Sequence, residues 1–99
     1  MNENENENEI KELWFIYLVE QFEWTGYDTF DSMVVVARNE TEAVSIHPLG
    51  MPIEERDKSD YYRDWPKHSY NCDATKIGMA NIENTYTKPT VIIASFNAG

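Results

Sequence analysis

Ninety-nine residues, 41% of them apolar and 13% aromatic, allow one domain with a modest core. Eighteen acidic side chains against eight basic ones give a formal net charge of -10, which argues against the clustered Lys and Arg needed to grip nucleic-acid phosphates. The single cysteine, Cys72, excludes an internal disulfide and fits a reducing compartment.

Residues 1 to 9 alternate Asn and Glu after Met1. Like charges repel there and nothing can be buried, so a disordered acidic tail is expected, followed by a single domain over residues 10 to 99. The tail lacks the basic start and apolar core of a signal peptide, and no apolar run approaches the roughly 20 residues a membrane helix needs. A cytoplasmic protein without membrane contact is therefore expected.

Leu13 to Phe22 is the longest apolar run and is rich in strand-forming residues. Trp14, Ile16, Leu18 and Phe22 form one alternate set and Phe15, Tyr17 and Val19 the other. Both are apolar, so this strand belongs at the centre of a sheet covered on both faces. Gly26, Asp28 and Asp31 mark the connection to a second, antiparallel strand over Ser32 to Arg38. Asn39 reads as a helix N-cap with Glu42 in the capping-box position, and Pro48 ends that helix near Ile46.

Residues 48 to 73 then form a long irregular connection with three prolines and the aromatics Tyr61, Tyr62, Trp65 and Tyr70, within which Ile53 to Arg63 is the best candidate for a further short helix. A third strand is expected over Thr75 to Ile82, where Gly78 suggests a bulge or a close backbone approach. A turn at Asn84 to Pro89 leads to a fourth strand over Thr90 to Phe96. The expectation is an α+β fold: a four-stranded, mainly antiparallel sheet in ββαββ order with one short helix and a long aromatic-rich connection. One short helix covers only part of one sheet face, so either the 48 to 73 segment or a second copy in a homodimer must cover the rest.

No constellation stands out as catalytic. His68, Cys72 and Asp73 are close in sequence, but one Cys and two His make neither a paired metal-ligand cluster nor a distinctive nucleophile arrangement. The acidic run from Asp57 fails the calcium-loop pattern, with Tyr62 where Gly is needed and His68 where Glu is needed. No cofactor and no metal are expected. Tyr61, Tyr62, Arg63, Trp65 and Tyr70 are of the types that most often anchor protein interfaces, so they are the candidate partner-binding residues. The same aromatics also suit a roof over the sheet.

A helix ending Ile46-His47-Pro48 after an acidic start, a later Ile77-Gly78-Met79-Ala80, and the ending Val91-Ile92-Ile93-Ala94-Ser95-Phe96-Asn97-Ala98-Gly99 resemble small uncharacterised proteins of phages and prophages. The resemblance spans about half of the chain and is most specific at the ending. It brings no established activity, so no site residue is carried over. It implies a setting in the cytoplasm of a host cell, where small acidic phage proteins often bind and block host machinery.

Two functions lead at this level, with a structural role as a dimeric or virion-associated component third. The first is a non-enzymatic accessory protein that binds a host protein, with a basic surface as the fitting partner and a host defence or nucleic-acid-binding complex as the target class. The second is a small-ligand-binding or hydrolytic domain with a pocket under residues 48 to 73, for which His68, Asp64, Tyr70 and Cys72 are the candidates.

Overall fold

The computed structural model describes residues 13–23, 28–55, 64–80 and 86–97. The acidic tail and the candidates Tyr61, Tyr62 and Arg63 lie outside these residues. Four strands, β1 (Phe15–Gln21), β2 (Thr29–Ala37), β3 (Cys72–Met79) and β4 (Thr90–Asn97), form one sheet. A one-turn helix, α1 (Glu40–Ala43), follows β2, and 3-10 turns occupy Ile53–Glu55 and Ser69–Asn71. All three strand pairings are antiparallel, so the domain is a small α+β fold.

The spatial order corrects the expected ββαββ arrangement. The sheet runs β3-β1-β2-β4, so β3 and β4 are not a hairpin but the two opposite edges. β1 and β2, apolar on both faces, take the two central places. The register puts the end of β3 and the start of β4 at the same end of the sheet, because Met79 pairs with Phe15 and Thr90 with Val36. At that end Tyr86 packs against Trp14 with ring centroids 5.8 Å apart.

The boundaries shift as well. β2 begins three residues earlier than its sequence pattern suggests, after Asp28, which adopts a positive φ of 63° that Asp tolerates better than most residues. β3 also starts three residues early, at Cys72.

Register assigns the two faces. Tyr17, Val19, Met33, Val35 and Ala37 point to one face and form the main core with Ala43, Ile46, Trp65 and Cys72. This face is covered by α1 and by the described parts of the 44 to 66 stretch. The opposite face carries Ile16, Leu18, Val34, Val36 and Ile93. Among the described residues, only the end near Tyr86 is closed, by Trp14, Ala80 and Tyr86 around Val36.

Each edge strand carries a bulge. Ile77 is the extra residue between Lys76 and Gly78, the position the sequence suggested, and Ile92 is extra between Val91 and Ile93. A bulge twists an edge and interrupts its row of free backbone groups, which discourages pairing with another strand.

α1 is shorter than the sequence indicated. Asn39 caps it as expected, its Oδ1 accepting from Glu42 N at 2.9 Å. Glu42 reaches back one residue beyond the usual capping-box partner, to Arg38 N at 2.9 Å. The Ser45 hydroxyl donates to Glu42 O at 2.7 Å, and Ile46 then leaves the helix to bridge Pro52. The chain closes a tight loop there, with Gly50 at φ 106°.

Candidate binding surface

On the covered side, the sequence between α1 and β3 is fastened through His47. Its ring is 1% exposed. Nδ1 accepts from Leu49 N at 2.9 Å, so Nε2 carries the ring proton in the neutral form and donates to Asp64 Oδ1 at 3.0 Å. Phe30 N donates to Asp64 O at 2.9 Å, which ties the same residue to the start of β2. Phe30 also packs edge-on against His47, with ring centroids 6.0 Å apart. Asp64 is thus a bracket between loop and sheet. With both His47 nitrogens engaged, neither lone pair nor proton is directed at a substrate.

The other sequence candidates are dispersed. Trp65 is 2% exposed and lies in the main core; its Nε1 has no hydrogen-bond partner. Tyr70 is 73% exposed and stacks on His68, the ring planes 9° apart. Cys72 is buried in the main core. Burial pushes its thiol up to about 12, with the nearby Asp73 and Glu23 carboxylates adding to the shift. Such a thiol is a poor nucleophile at neutral pH. Among the described residues no three His, Cys, Asp or Glu side chains gather as a metal-ligand group.

The opposite face offers a different arrangement. Away from the Trp14 end, two rows of side chains cross the strands. One row is Thr75, Leu18, Val34 and Ile93; the next is Asp73, Glu20, Ser32 and Ser95. Leu18 and Val34 are half-buried, and Ile93 is 64% exposed. A shallow open depression lies between β2 and β4, lined by Ser32, Val34, Ile93 and Ser95 among others. Phe96 lies on the other face, with Ala94, exposed but held by Phe30 at 4.8 Å between ring centroids.

In the second row Glu20 and Asp73 are both exposed and are direct cross-strand partners. Like charges in that position weaken a strand pair. Among the described residues neither has an ion pair. Among the described residues, an apolar row beside an acidic pair without a counter-charge is therefore left outward on the sheet. Sequence reasoning recognised that β1 is apolar on both faces. It missed the acidic pair, because Glu20 and Asp73 meet only through the β1–β3 register.

No protein-family model, no curated protein and no solved structure matches this chain.

Proposed function

We propose that this chain is a non-enzymatic accessory protein of phage type that acts by binding a protein of the host cell. The observation that carries the reading is the open half of the sheet, where Leu18, Val34 and Ile93 form an apolar row beside Glu20 and Asp73. Exposed apolar area of this kind, rimmed by polar groups, marks interaction surfaces more often than chemistry. The acidic balance of the chain favours a partner with a basic surface, such as a nucleic-acid-binding component of host defence, and speaks against direct contact with nucleic acid. The resemblance of the C-terminal stretch to phage proteins supports the host setting.

The alternative, a ligand pocket beneath residues 48 to 73, draws less support from the described residues. Among the described residues Ile46, His47, Trp65 and Pro66 are buried there.

The test is affinity capture from host lysate with the full chain and with Ile93→Ser. The expected result is one stoichiometric host protein, retained by the wild type, eluted by salt and lost from the variant. Absence of any captured protein overturns the reading. Equal capture by the variant moves the binding surface elsewhere, with Tyr70 and His68 the next exposed candidates.

A further inference from the structure

The chemistry of the open face is more specific than a general affinity for proteins. We infer that its occupant is an amphipathic helix of a partner, laid with its apolar stripe on Leu18, Val34 and Ile93 and with Lys or Arg along one flank, against Glu20 and Asp73. This deepens the binding reading above and rests on it.

Three observations select this occupant. The first is charge. Glu20 and Asp73 oppose each other in register without a cation among the described residues, and a Lys or Arg supplied from outside would relieve their repulsion as it docks. A second copy of this chain would instead bring its own acidic row and a further net charge of -10 to the interface.

The second is the state of the edges. Ile77 and Ile92 bulge out of register on the two outer strands, which opposes strand addition and leaves the face as the place to dock. The third is architecture. One face of the sheet is covered by α1 and the loop that follows it, and a helix is the element that most readily covers the other.

The probe is a synthetic helical peptide of Leu and Lys with all leucines on one face, compared with its Leu/Glu counterpart. Binding is followed by calorimetry on the full chain. The Leu/Lys peptide should bind and the Leu/Glu peptide should not. Neutralising the row in Glu20→Gln/Asp73→Asn should weaken binding about tenfold. Removing the same two charges from the covered side, in Glu54→Gln/Glu55→Gln, should leave it within about twofold. Ile93→Ser should weaken it as well. The Glu20→Gln/Asp73→Asn variant removes a repulsion, so its melting temperature should hold or rise, which separates lost binding from lost fold.

Equal weakening by both double variants would reduce the effect to net charge and overturn the inference, as would indifference to Ile93→Ser. A dimer in solution that dissociates on Ile93→Ser would assign the face to a second copy and also overturn it. If a captured host protein depends on Ile93 but not on Glu20 and Asp73, the helix inference falls while the binding reading stands. If the peptide behaves as expected but no host protein is captured, the binding chemistry stands and the host setting falls.

Discussion

At the residue scale, the covered side of the sheet carries groups that are stable only in one protonation state. Cys72 is held as a thiol, pushed up to about 12 by burial and then by Asp73 and Glu23. Tyr17 is held as a phenol, raised by burial and by Glu40. For both groups the folded value lies above the unfolded one, so their contribution is complete at neutral pH and is lost as pH rises. The loss should begin near 9.0 for Cys72 and 10.0 for Tyr17, their ordinary values. Stability measured by urea unfolding should therefore fall above that range, with Cys72 contributing up to about 1.4 kcal/mol per pH unit. Cys72→Ala should flatten the early part of that fall. For the same reason a thiol reagent at pH 8 should label the native protein only as fast as it unfolds. Burst labelling of the folded state would show that Cys72 is not enclosed. His47→Ala removes a buried ring and two hydrogen bonds, and should cost about 2 to 4 kcal/mol by chemical denaturation.

At the scale of the element, α1 shows how short-range signals can be right about a beginning and wrong about an end. Asn39 and Glu42 were legible because a cap is a matter of three or four neighbours. Asn39→Ala should cost about 1 kcal/mol. Glu42 is held below its ordinary value, first by its hydrogen bond to the Arg38 side chain. Its contribution is thus present above its unfolded value of 4.5 and lost as pH falls through the lower folded one. Glu42→Gln should therefore destabilise at pH 7 and matter progressively less in acid, a comparison thermal melts at the two ends can make.

The end of α1 was not legible, because it depends on Ile46 meeting Pro52 and on His47 reaching Asp64. Trp65 makes the same point. An aromatic in a polar stretch looks the same in sequence whether its loop folds over the sheet or away from it. The bulge beside Gly78 was readable from one glycine, whereas the bulge at Ile92 has no signal in a run of apolar residues.

At the scale of the whole molecule, the sequence indicated that β1 would be central with β2 beside it and that the apolar character of the sheet exceeds what one short helix can cover. It did not reveal which strands share an edge. β3 and β4 follow one another closely in the chain, so a hairpin was the local expectation. The observed order separates them, puts the end of β3 and the start of β4 at one end of the sheet and, among the described residues, leaves the other end of one face open. Partner binding at that open end should combine a salt-dependent association rate with a salt-tolerant apolar contact. Raising ionic strength should thus slow association more than it speeds dissociation.

The sheet order also bears on how the domain reaches this state. β2 obtains its second neighbour only from β4, so that Thr29 pairs with Asn97 and Val36 with Thr90. Strands this distant in sequence must find one another after a long loop closes, and such non-local pairing is slow. Until then a valine-rich strand has one flank bare. The last strand to join acts as a latch on the nascent domain. A chain cut after Pro89 should retain the β1–β2 hairpin pattern but aggregate rather than remain a monomer, and adding a separate peptide of residues 90–97 during refolding should partly restore the soluble form.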